Sequence, residues 1–162
     1  MRLQQIVCVC TCALLASCSD LTGPELPDEQ NNDVTITQGI WGRVRFWEGD
    51  FMPSIGGRSS GTITPVEREV WIFQATRYDS VVGAGDGRFF KQILTTFVDS
   101  VRSNASGFYQ VSLPPGKYSV FIVEGSVYYA NGTDSEGHLV SGVVTAGAVT
   151  EVPVDITYKA AY

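Results

Sequence analysis

The chain has 162 residues, 17 acidic and 11 basic side chains, a formal charge of −6 and one histidine. That length allows a single domain of ordinary size behind a leader. No basic excess exists to neutralise phosphates, which argues against nucleic-acid binding, and one histidine excludes the usual two-histidine zinc sites.

The leader comes first. Arg2 supplies a positive charge and residues 6–16 are apolar or small almost throughout, the pattern of a signal peptide. The run is about eleven residues where a membrane-spanning helix needs roughly 20, so it predicts a signal helix and not an anchor. It ends in Leu15-Ala16-Ser17-Cys18, which resembles the lipobox of bacterial lipoproteins. That resemblance implies cleavage after residue 17 and acylation of Cys18, palmitate included, since the thiolate is the nucleophile that takes the lipid. Two or more acyl chains hold a protein firmly on a membrane where one holds it marginally. Cys8, Cys10 and Cys12 fall in the discarded segment, so the mature chain has no disulfide available.

Residues 18–33 follow as a lipidated cysteine and tether. Residues 19–33 hold two prolines, five acids and no base, a composition too polar to bury apolar surface, and therefore read as disordered. Removing that tether and Arg2 leaves twelve acids and ten bases in residues 34–162, a nearly neutral body.

The body lacks any sustained 3.6-residue period and repeats two-residue alternation between turn signals, which predicts an all-β domain. The first strand is expected over 39–47, with Ile40, Gly42, Val44 and Phe46 facing inward and Trp41, Arg43, Arg45 and Trp47 outward. A second, apolar on both faces and so central, covers 67–75. A third is expected over 90–101, a fourth over 108–113 and a fifth over 117–123, the last two joined by the tight turn Pro114-Pro115-Gly116. Strands over 127–130, 139–144 and 149–158 complete the set. Pro153 cannot donate to a ladder and predicts an edge or an outward-facing position.

The run Ser106-Gly-Phe-Tyr-Gln-Val-Ser-Leu-Pro-Pro-Gly-Lys-Tyr-Ser-Val-Phe-Ile122 is similar to the hairpin of carboxypeptidase regulatory-like domains, which are transthyretin-like. Residues 39–44 and 66–73 match that family's first two strands. The resemblance implies a seven- to eight-stranded Greek-key β-sandwich used as an accessory, assembly or binding module, without peptidase activity. Residues 48–65 and 79–88 look like insertions, and function in such scaffolds concentrates in loops.

Candidate sites are few. Trp41 and Trp47, six residues and about 20 Å apart along one strand face, are candidates for stacking on a sugar ring, although long loops folding over them is the simpler expectation. Asn131, Asp134 and Glu136 offer oxygen ligands for calcium, but also read as a solvated turn. Ser80 and Ser100 each follow an aspartate and precede a valine, which resembles the acceptor pattern for O-glycosylation in Bacteroidetes-type lipoproteins. His138 sits beside a glycine and is expected to be an exposed loop residue, leaving no nucleophilic triad.

The expected protein is thus a non-enzymatic lipoprotein without cofactors. Its place is the cell envelope, at the periplasmic or surface face of the outer membrane, held by membrane lipid through Cys18 and contacting an envelope protein or a glycan through its loops. Alternatives are a pilus-type subunit that donates residues 149–158 as a strand, and a hydrolase centred on His138.

Overall fold

The computed structural model describes residues 33–52 and 60–162; the expected signal peptide, Cys18 and residues 19–32 of the expected tether lie outside them. The described chain is almost wholly β, built as two packed sheets.

The five-stranded sheet is organised by β1 (Gly39–Asp50). Its first half pairs antiparallel with β7 (Phe108–Ser112) and parallel with β11 (Val149–Glu151); its second half pairs antiparallel with β2 (Thr62–Pro65) and parallel with β12 (Val154–Ala161). In the seven-stranded sheet the long strand is β8 (Gly116–Glu124). It has β3 (Glu69–Gln74) on one side, and β10 (Ser141–Val144) and β9 (Val127–Tyr129) end to end on the other. Beyond β3 lies β6 (Phe97–Arg102), and beyond β9 lie β5 (Phe89–Ile93) and β4 (Val81–Gly83). The strand number exceeds the expected seven or eight because both long strands are flanked by pairs of short ones.

The expected hairpin over 106–122 does not form, because β7 pairs with β1 while β8 pairs with β3, β9 and β10 in the other sheet; two expected strands are divided and a third is shortened. Residues 90–101 form β5 and β6, separated where Leu94 N–H bonds to Ser80 O and Thr96 O accepts from Gln74 N–H. The Thr95 hydroxyl is there bonded to the buried Thr76 at 2.6 Å. Residues 149–158 break at Val152 and Pro153, where the missing N–H of proline falls between β11 and β12. Residues 139–144 become a strand only at Ser141, because Val140 takes a positive φ of 33° that no extended strand accommodates.

On β1 the expected inward residues Ile40 and Val44 are fully buried and Phe46 packs at the margin, but burial does not alternate, because Trp41, Arg43 and Arg45 on the opposite face are covered as well. With Val154 and Ile156 of the same sheet, the inward residues meet Val70, Ile72, Val120 and Ile122 from the facing sheet in one intersheet core. A second core lies on the other face of the seven-stranded sheet, where β5 lays Phe90 and Ile93 against Phe73, Phe121 and Leu139. Phe121 alternates with Val120 and Ile122, so β8 is buried on both faces. Two buried tyrosines tie strands together: Tyr109 OH donates to Val152 O within the five-stranded sheet, and Tyr129 OH of β9 accepts from Thr157 N–H of β12 at 2.9 Å, joining the two sheets. Burial pushes the Tyr109 phenol far above its ordinary pKa, keeping it a neutral donor.

Candidate functional site

Trp41, Arg43, Arg45 and Trp47 do share the outward face of β1. Trp41 is only 6% exposed, its ring 6.2 Å from Phe108. The chain before β1 is tied to the same face: Gln110, directly opposite Trp41, accepts from Thr35 N–H, and Asp33 pairs with Arg43 at 3.5 Å. What closes Trp41 is therefore β7 and this leading segment rather than a long loop. Trp47 donates Nε1–H to Asp155 at 2.9 Å and packs 5.0 Å from Phe51. Asp155 also receives Arg45 in a fork of 2.7 and 3.1 Å, so its carboxylate is already committed. The two tryptophans are structural members of separate clusters, and the structure does not bring them together.

A different aromatic surface stands on the outer face of the seven-stranded sheet. Trp71 of β3 lies 5.2 Å from Phe97 and 5.4 Å from Tyr128, and Phe73 lies 5.6 Å from Phe97. Phe73 is buried, Trp71 and Tyr128 are half-buried, and Phe97 is 47% exposed, with Leu94 three residues before it at 57%. Apolar side chains grouped in this way on a surface mark contact sites more often than isolated ones do. The sequence showed Trp71 and Phe73 as the second apolar face of their strand. It gave no sign that Phe97 and Tyr128, from distant segments, would join them.

The loop after β9 builds a polar cluster. One ligand atom each of Asp134, Glu136 and His138 lies within 4.8 Å of the others, so two of the expected calcium ligands converge. Asn131 does not join them, because its amide donates to Thr157 at 2.7 Å. Lys117 Nζ, from β8, sits 2.7 Å from Asp134 and 2.6 Å from Glu136, at the point where a cation would bridge them. Asp134 also accepts from the His138 and Glu136 amides and from Ser141 Oγ at 2.7 Å. His138 is not the exposed residue expected: its side chain is 15% accessible, with Nδ1 3.2 Å from Asp134. Since Ser141 donates to Asp134 and not to His138, the trio is a loop clasp without the nucleophile-to-base contact of a hydrolytic triad. The neighbouring cleft, of about 300 Å³, is lined by Asn131, Asp134, Ser141, Glu151 and Pro153.

The hydrogen bond from Lys117, followed by those from the loop amides and Ser141, holds the Asp134 carboxyl well below the usual carboxylate range. Lys117 likewise lowers Glu136, and the two acids raise Lys117. Depressed carboxyls stabilise the fold above their unfolded values near pH 4 and lose that contribution as pH falls below them; the lysine contribution persists until strongly alkaline pH. Lys117→Met is therefore expected to lower the urea midpoint at pH 7 and to flatten its decline between about pH 4 and pH 2. An acid limb as steep as the parent's would disprove the clasp.

Ser80 lies at the end of a short 3-10 turn (Tyr78–Ser80) with its hydroxyl on Asp79, and Ser100 is exposed on β6. The two sites are accessible to different degrees and belong to no common cluster.

No family model, curated protein or solved structure matches the chain. The aromatic surface of β3, β6 and β9 therefore carries the functional reading on its own geometry.

Proposed function

We propose that this chain is a lipid-anchored, non-catalytic β-sandwich module of the bacterial envelope that contacts another envelope protein through Trp71, Phe97 and Tyr128. The single observation carrying it is that half-exposed aromatic group, backed by the buried Phe73 and so held on a rigid sheet. Aromatic side chains of this kind supply large contact area at small entropic cost.

The lipobox-like Leu15 to Cys18 supports an acylated Cys18 and an outer-membrane address. Asp33 stands fifteen positions after Cys18, a reach of at most about 50 Å, which lets the body meet partners near the membrane. The run from Ser106 to Ile122 supports kinship with carboxypeptidase regulatory-like domains, whose members serve as accessory modules, although its two strands pair in different sheets and not with each other. Strand donation by the C-terminal segment is the weaker reading, because Val154 and Ile156 are built into this chain's own core and would have to leave it.

A photo-crosslinking residue at position 97, introduced into the full chain in its native envelope, is expected to capture one dominant protein; the same residue at the exposed Val143 should not. Trp71→Ala should reduce that adduct about tenfold, the scale of a central aromatic contact. Retention of a glycan with no protein adduct would replace the protein reading, and equal labelling from both positions would end it. In parallel, Cys18→Ser should abolish palmitate labelling and release the protein from membranes.

A further inference from the structure

The aromatic surface borders a strand edge. Among the described residues β6 pairs only with β3, antiparallel, with Val101 opposite Val70, Ser100 opposite Trp71 and Asp99 opposite Ile72. Ser103 N–H points into the pair, onto Arg68 O. Because inward and outward groups alternate along an antiparallel strand, Asp99 and Val101 also point inward, and the N–H and C=O of Ser100 and Arg102 point away from the sheet.

The outward N–H of Ser100 is taken by a side chain next door: Asp99 Oδ1 accepts it at 2.7 Å. This closure differs from that of β12, where the buried Tyr129 hydroxyl engages both Asp155 O and Thr157 N–H. Tyr129 is fixed in the core, whereas Asp99 is an exposed carboxylate that rotates away at little cost. The chemistry that complements outward N–H and C=O groups on alternate residues is another extended polypeptide backbone.

A second copy of this chain fits the border poorly. Pairing two β6 strands about Ser100 would set the two Asp99 carboxylates diagonally, about 7–8 Å apart on one face. It would also end at the irregularity next to Val98 on both sides. A different peptide avoids both problems. Its residue opposite Ser100 would stand on the outer face, where the small serine leaves a trough flanked by Trp71 and Phe97. Its residue opposite Asp99 would meet a carboxylate released from Ser100.

We propose that β6 accepts an extended segment of a partner protein by strand addition, with an apolar side chain over Ser100 beside Trp71 and Phe97, and a basic residue opposite Asp99. This rests on the binding role proposed above and names the form its partner takes.

The test uses the full chain in detergent and a short acetylated, amidated peptide of alternating valine and lysine, with a valine–glutamate peptide as control. The lysine peptide is expected to slow hydrogen exchange at the Ser100 and Arg102 amides and to shift the Trp71 indole resonance. The glutamate peptide should bind about fivefold more weakly, the scale of one exposed ion pair. Asp99→Ala should erase that preference. Ser100→Pro removes an N–H the sheet does not use, so binding should be lost while circular dichroism is retained; exchange in the unsubstituted chain decides the matter if that variant misfolds. No slowing at Ser100, or perturbations that map away from β6, would overturn strand addition. The envelope adduct from position 97 surviving in Ser100→Pro would overturn it too, while leaving the binding role intact.

Discussion

Phe121→Ala is expected to lower the unfolding free energy by about 3–5 kcal/mol, the range for deleting a buried ring. Phe121 is fully buried on the face of β8 turned away from the intersheet core, and its ring meets Phe73 at 5.6 Å and Phe90 at 6.0 Å, both edge-to-face. Phe90, Ile93, Ala130 and Leu139 are buried with Phe121 and Phe73 in one cluster, so the void cannot be filled by a small shift of one neighbour. Urea unfolding gives the magnitude, and hydrogen exchange gives the location. Amides of β5 should lose protection before those of β1, whose core partners are untouched. A loss under about 1 kcal/mol would mean that the second core collapses without cost.

Gly107→Ala should be comparably severe, at more than about 3 kcal/mol, for a reason of backbone geometry. Gly107 has φ of +75°, and an added Cβ would stand 2.4 Å from Val44 O. Val44 N–H donates to Gly107 O, which ties the turn to β1, and Val44 O is itself held by Val66 N–H, so the carbonyl cannot move aside freely. Gly125 provides the control: its φ is +65°, but nothing lies within 4 Å of its absent Cβ. Alanine there should cost only the left-handed strain, about 1 kcal/mol. Thermal and urea unfolding of both variants separate the two contributions. Equal losses would show that conformation alone, not the approach to β1, sets the requirement at position 107.

Much of the fold was legible in the sequence because a strand's two-residue alternation is local. Ile40, Val44, Val154 and Ile156 could be assigned to the interior from their own segments, and Pro153 marked a break in a ladder before its partner was known. Splitting of 90–101 was not legible. Its cause, the Thr95 hydroxyl on Thr76 and the Gln74 bond to Thr96, involves residues about twenty positions away. The long reach of β1 and β8, each flanked end to end by two short strands, was equally hidden, since strand neighbours are not written in either partner.

The candidate site divides in the same manner. Asp134 and Glu136 were identified as clustered acids from their spacing, but Lys117, which occupies the place of a cation between them, comes from another strand. Trp41 and Trp47 were placed on the outward face correctly, and only the structure showed that Phe108, Gln110, Asp155 and Phe51 take them up. Phe97 carried no signal of its own.

By itself, the sequence determined an all-β body and the inward and outward sets along its strands, since each depends on residues near one another in the chain. Tertiary structure alone decided which outward groups remain available. Trp71, Phe97 and Tyr128 are left half-exposed, and the outward N–H of Ser100 is held only by Asp99, because availability depends on what other strands cover. Covering is a long-range property: it is fixed by pairing and packing between distant segments, and no local pattern encodes it.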